Sequence, residues 1–140
     1  MMGGNAQTAN RSEKADSMKA PQRHRLPMTR HGLIHKFRVG NTKAYIRVGL
    51  YPDGSLGEVF LTVAKAGSTL QGMMDSFAVL LSLSLQYGIP LAVIAKKFRH
   101  VRFEPAGFTG GKEIPSASSL IDYVFAWLQR EFLKGETETT

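Results

Sequence analysis

A chain of 140 residues with 43% hydrophobic content has room for one domain and enough apolar surface for one ordinary core. It contains no cysteine, which excludes disulfide scaffolds, thiolate metal sites, a thiol nucleophile and a redox cysteine pair, and makes a reducing cytoplasm the simplest compartment for it. The formal charge of +7 is concentrated at the start, where residues 1–30 hold six Lys/Arg against two acids while residues 31–140 hold twelve against nine; this favours polyanionic partners through Coulomb attraction, or serves solubility alone.

From Met1 to about Pro27 almost no large apolar residue occurs, so burial cannot offset the entropy of ordering. Residues 1–30 therefore read as a disordered basic arm carrying Arg11, Lys14, Lys19, Arg23, Arg25 and Arg30, without the apolar stretch of a secretory signal. The longest apolar runs, Phe77 to Leu85 and Ile89 to Ala95, are interrupted by Ser82, Ser84, Gln86 and Gly88, so no membrane span is expected.

From Ile34 the pattern turns to period two, with His35, Phe37 and Val39 alternating against Ile34, Lys36 and Arg38. Gly40-Asn41 supplies a turn, and Thr42 to Gly49 places Ala44, Ile46 and Val48 opposite Lys43, Tyr45 and Arg47. Pro52-Asp53-Gly54-Ser55 is a second turn and Glu58 to Val63 a third strand. Ser68 and Gln71 fit a capping box for a helix that Gly88 stops, whose broad apolar stripe is suited to the sheet and to another helix or subunit. Pro90, at a first helical position, opens a shorter helix to about Arg99. Arg102 to Pro105 reads as extended, and Gly107, Gly110 and Gly111 as a flexible loop. Ser119 and Asp122 form a second capping box, starting a last helix that Gly135 ends. The expected architecture is α+β: one domain over residues 31–135, a three-stranded antiparallel meander packed against about three helices, with residues 136–140 a frayed tail.

Four stretches in this order carry a family resemblance: Val48 to Phe60 (VGLYPDGSLGEVF), Ser84 to Leu91 (SLQYGIPL), Arg102 to Gly107 (RFEPAG) and Ser118 to Phe125 (SSLIDYVF). Together they span roughly residues 33 to 130, and they resemble the TSCPD domain, the C-terminal accessory domain of adenosylcobalamin (vitamin B12)-dependent ribonucleotide reductases. The resemblance implies a link to nucleotide metabolism. It carries no catalytic residue to this chain, in which neither the reductase's barrel, nor its radical-forming cysteine, nor its cobalamin site has a counterpart. A non-enzyme without a cofactor is expected.

Two surfaces have the chemistry to hold a phosphate. On the first two strands Lys36, Arg38, Lys43, Tyr45 and Arg47 share the outward face, to which the third strand adds either Glu58, Phe60 and Thr62 or the opposite set; cations beside a ring suit a phosphate and a base. The plain alternative is a solvated face with cross-strand pairs such as Arg47 with Glu58. The second surface is the segment from Gly107 to Lys112 ahead of a helix start, where Gly110, Gly111, Lys112, Ser116, Ser118 and Ser119 offer amides and hydroxyls to an anion. It lacks the spacing of a Walker loop, and an ordinary connector whose serines cap the helix remains the alternative. Arg99 and Arg102, in the cluster Lys96, Lys97, Arg99, His100 and Arg102, either extend such a site or complement a helix C-terminus. The four histidines show no metal spacing.

Two functions follow as expectations. One is a homo-oligomeric binding module that captures or sequesters a linear or cyclic nucleotide or another phosphate-bearing small molecule, its subunit contacts made by the Ser68 to Tyr87 helix and Trp127. The other is an accessory subunit docking on a separate ribonucleotide reductase large chain. Single-stranded nucleic-acid binding is a further possibility, and no membrane partner is expected.

Overall fold

In the computed structural model, which describes residues 20–134, the period-two runs form the antiparallel meander: β1 (Gly32–Val39), β2 (Thr42–Leu50) and β3 (Leu56–Val63), in that spatial order. Phe37, Val39, Ala44, Ile46, Val48, Val59, Leu61 and Val63 are buried on the inner face. Gly40, with φ of +59°, closes the first hairpin. In the second, Gly54 has φ of +87°, and the Asp53 carboxylate accepts hydrogen bonds from the Ser55 hydroxyl at 2.6 Å and amide at 2.9 Å. Those bonds, the hydroxyl's first, hold the Asp53 carboxyl below its ordinary range.

Among the described residues three helices pack with the sheet: α1 (Ser68–Gln86), α2 (Leu91–Phe98) and α3 (Leu120–Phe132). Between α2 and α3 the expected loop is in part a ribbon, β4 (Gly107–Phe108) paired with β5 (Ser116–Ala117) and tied to the sheet by Gly40 N–H donating to the Phe108 carbonyl at 2.9 Å. Phe77, Phe98 and Phe125 join the helices through an edge-on contact of 5.2 Å and a stacked one of 5.5 Å. On the sheet side, Phe37 stacks on Tyr123 at 4.2 Å and His35 on Trp127 at 4.9 Å. Trp127 is thus an inner residue, 7% exposed, and offers nothing to a subunit contact. Among the described residues no helix is long and apolar enough to cross a membrane.

The capping expectations divide. Ser119 caps α3 as expected, its hydroxyl accepting from Asp122 N–H at 2.9 Å. At α1 the N-cap is Gly67, without a side-chain bond, and Ser68 is the first helical residue. Gln71 is needed elsewhere. Its side-chain amide accepts from Val63 N–H at 2.9 Å and donates to the Leu61 carbonyl at 3.0 Å, as a neighbouring strand would. Further along α1, the Ser82 hydroxyl accepts from Val59 N–H and donates to the Val59 carbonyl, and Gln86 donates to the Gly57 carbonyl at 3.0 Å. Three side chains of α1 thereby satisfy five outward-facing backbone groups of β3, which would otherwise be an open edge. At α2, Pro90 is the N-cap rather than the first helical residue. Gly88, with φ of +94°, follows α1 as expected, whereas Gly135 lies outside the described residues.

Much of the expected arm, residues 1–19, also lies outside the described residues. Residues 20–31 form a strap fixed by tertiary bonds. His24 N–H donates to the Gln86 carbonyl at 2.9 Å, Arg23 donates to the Gln86 side chain at 2.6 Å, and the Arg30 guanidinium pairs with Glu58. Leu26 packs where Gly57 leaves room: a Cβ there would lie 2.7 Å from Leu26 and 2.8 Å from Tyr51.

Candidate functional site

The register of the meander decides which residues share its outer face. Arg47 lies opposite Ile34 on one side and Phe60 on the other, Tyr45 lies between Lys36 and Thr62, and Lys43 opposes Arg38. Of the two alternatives for β3, the outward set is therefore Glu58, Phe60 and Thr62. Glu58 faces Gly49 rather than Arg47 and is held by Arg30, so the strap closes that end of the face. The anticipated Arg47–Glu58 cross-strand pair is absent among the described residues because Phe60 occupies the position opposite Arg47.

Three rows remain open. Among the described residues none of Lys36, Arg38, Lys43 and Arg47 has a carboxylate in ion-pair range. Two of them rest on rings instead: Lys36 Nζ sits 5.9 Å from the Tyr45 ring centre and the Arg47 guanidinium 5.1 Å from that of Phe60. Ile34 is 74% exposed and Phe60 43%. Beside the Arg47–Phe60 row, between β3 and α1, lies a groove of about 380 Å³ lined in part by Arg23, Arg47, Phe60, Asp75, Val79 and Gln86. Its volume falls in the range of small-molecule sites.

The second sequence candidate separates into three parts. Arg99, Arg102, Ser116 and Ser118 border a cavity of about 420 Å³ together with His100 and Asp122. Within it Asp122, 3% exposed, is already the anion: its carboxylate accepts from His100 N–H at 2.7 Å and Ser118 N–H at 2.8 Å and pairs with Arg99. Arg99 is further engaged by Gln129 at 3.1 Å. Ser119 is fully buried, its hydroxyl donating to the Val101 carbonyl at 2.7 Å while capping α3. An incoming phosphate would meet a carboxylate where the helix start is most positive. Gly110, Gly111 and Lys112 sit at the ribbon tip, where Gly111 N–H donates to the Thr109 hydroxyl at 3.2 Å. Gly110, at φ of +77°, leaves space for Arg38, whose Nη2 lies 2.9 Å from where a Cβ would stand. Lys36, Arg38, Tyr45 and Arg47 thus share one surface, and the serine cavity is another.

The TSCPD domain family matches residues 18–132. The chain belongs to this family. That match covers every element of the fold and reaches back through the strap, beyond the stretches that carried the resemblance. Relatives of this TSCPD domain include proteins named vitamin B12-dependent ribonucleotide reductase. One from Rhodopirellula baltica is 53% identical over 115 residues, 82% of this chain and 11% of that protein. Another from Streptomyces coelicolor is 47% identical over 119 residues, 85% of this chain and 12% of that protein, and one from Agrobacterium fabrum is 42% identical over 113 residues, 80% of this chain and 9% of that protein. The chain spans about a tenth of the length of these relatives. No solved structure matches it.

Some residues that shape the face of this TSCPD domain were not singled out from the sequence. Arg23 and Arg30 stood only among the arm's charges, and Gln86 only as a break in an apolar run. Asp122 as the centre of the α2–α3 junction has no local signature, whereas the half-buried His35 follows the alternation that turns Phe37 and Val39 inward, and only its Tyr123 partner is invisible locally. His35 Nε2 lies 2.9 Å from the Tyr123 hydroxyl. Burial lowers the His35 pKa, partly opposed by the Glu131 charge, and burial raises that of Tyr123. Among the described residues no group of three His, Asp or Glu side chains converges as metal ligands would.

Proposed function

We propose that this TSCPD domain is a non-catalytic, homo-oligomeric module that captures a nucleotide-type ligand, linear or cyclic, or another phosphate-bearing small molecule on its outer sheet face. The observation that carries this reading is the set of three open rows, in which four cations without acidic partners flank Tyr45 and Phe60. Lys36 and Arg47 lose little by leaving their rings, since an exposed cation–π contact is worth about 0.5–1 kcal/mol. A base stacked on such a ring gains about 1–3 kcal/mol, and the displaced cation becomes a phosphate donor. Phosphate on Arg47 and Arg23 with the base against Phe60 is the arrangement that best uses the adjoining groove. Calorimetry with linear and cyclic nucleotides tests the reading, which fails if none binds tighter than about millimolar, roughly 4 kcal/mol.

Self-association is supported by the exposed apolar side chains of α1 and α2, among them Met73 at 63%, Leu80 at 65% and Val93 at 53%. Leu80→Glu should convert the oligomer to monomer in light scattering. A monomeric parent protein would remove the oligomer from the proposal.

A second reading has its own support: in the relatives this domain is a small part of much longer chains named as reductases. The chain would then dock on a separate reductase large chain. Co-elution of the two purified proteins tests it, and independent migration at micromolar concentration would set it aside.

A further inference from the structure

We infer that the outer sheet face is a platform for single-stranded nucleic acid, holding successive nucleotides of one strand; this rests on the reading of that face as the nucleotide site. A pocket for one phosphate draws its cations to a point. Here Lys36, Arg38, Lys43 and Arg47 are spread over three rows, and from Lys43 to Arg47 the strand advances roughly 13 Å at 3.3 Å per residue. That spacing suits a run of phosphates better than a single one.

The rings are arranged to match. Tyr45 on β2 and Phe60 on β3 occupy adjacent rows of neighbouring strands, a diagonal relation that puts their backbones about 7–8 Å apart. Two neighbouring bases can therefore each find a ring, and because every base has a π-face such a platform tolerates any sequence. The rows belong to an open three-stranded surface that the β4–β5 ribbon meets only at its Arg38 end, where Gly110 lies against the guanidinium, so the Tyr45 and Phe60 rows can receive the splayed bases of a single strand.

Arg38 and Lys43 supply an independent indication. They are directly opposite one another, a destabilising placement of like charges, and among the described residues neither has a carboxylate in ion-pair range. Solubility alone would be served as well by one cation and one acid. A polyanion lying across the row removes the repulsion.

The test is fluorescence anisotropy of a labelled oligo-dT of about twelve nucleotides with the full chain, at salt from about 50 to about 200 mM, beside calorimetry with the mononucleotide. The oligonucleotide should bind at least tenfold tighter than the mononucleotide, a margin above the gain from more frequent encounters with a repeated unit. Lys43→Thr should shallow the log-log salt slope by about 0.7 and leave thermal stability equal or higher. Tyr45→Thr should weaken binding about five- to a hundredfold without changing the slope, a split that loss of fold would not produce. Binding of the mononucleotide as tightly as the oligomer would overturn this inference and leave single-nucleotide capture standing, whereas binding of neither would remove both. Equal affinity for duplex, or for polyglutamate with no response to Tyr45→Thr, would also overturn it, assigning the face to any polyanion, an acidic protein surface included.

Discussion

Replacing Gln71 by methionine keeps the length of the side chain and removes only its amide. In the folded protein that amide serves Val63 N–H and the Leu61 carbonyl, which belong to residues 6% and 5% exposed. Each buried backbone group left without a partner costs about 1–3 kcal/mol. Gln71 itself is only half-buried, so water can reach part of the vacated edge, and the lower end applies: about 2 kcal/mol in all. For a domain of this size, with a midpoint sensitivity of roughly 4 °C per kcal/mol, melting followed by circular dichroism should drop by about 8 °C. Asp75→Asn is the control, because Asp75 only accepts from the Gln71 amide at 2.7 Å on the exposed side, and its effect should stay within about 0.5 kcal/mol. A Gln71→Met loss no larger than that of the control would show that the β3 edge does not depend on α1 for its hydrogen bonds.

Asp122→Ala should cost about 3 kcal/mol in urea unfolding, since it strips the partner from Arg99 and from the amides of His100 and Ser118 at once; a loss under about 1 kcal/mol would mean the junction re-forms around water. Because burial lowers the His35 pKa below the ordinary 6.5 of the unfolded chain, the unfolded state takes up the proton first. Stability should therefore be complete above about pH 6.5 and decline as the pH falls through the lower folded value, and His35→Phe should flatten that decline in pH-dependent melts; an unchanged slope would place the proton uptake elsewhere. Asp75→Asn should tighten binding of an anionic ligand in the groove about two- to fivefold by calorimetry, and weaker binding would argue that the phosphate lies away from this wall.

The sheet was legible because its information is local. Alternation at residues 34–39 and 42–48 states which side is buried, and Pro52 with Gly54 marks the turn that fixes the following strand. Alternation alone does not choose the outward set of β3, because it carries no register, which the hairpin geometry supplies only in three dimensions. Gln71 misled because a glutamine three residues after a serine looks the same whether it caps its own helix or hydrogen-bonds to a strand. The strap resembles a disordered arm in sequence for a related reason. Its side chains contribute little apolar surface, and what orders residues 20–31 is a handful of bonds to Gln86, Glu58 and Tyr51 made across long sequence separations. On the site, the basic character of the strands was visible, while the filling of the serine cavity by Asp122 was not, because its partners Arg99 and His100 lie more than twenty residues away.

The two margins of the sheet are unequal. Along β3 the helix finishes the hydrogen bonding, whereas on β1 the pairing with β2 turns the backbone groups of Gly32, Ile34, Lys36 and Arg38 outward, and among the described residues no hydrogen bond reaches them. A strand contributed by another molecule can therefore join at β1 without displacing α1, but not at β3. Growth at β1 would widen the cationic surface on one side and lengthen the apolar layer on the other, so a single added strand would alter ligand area and packing together.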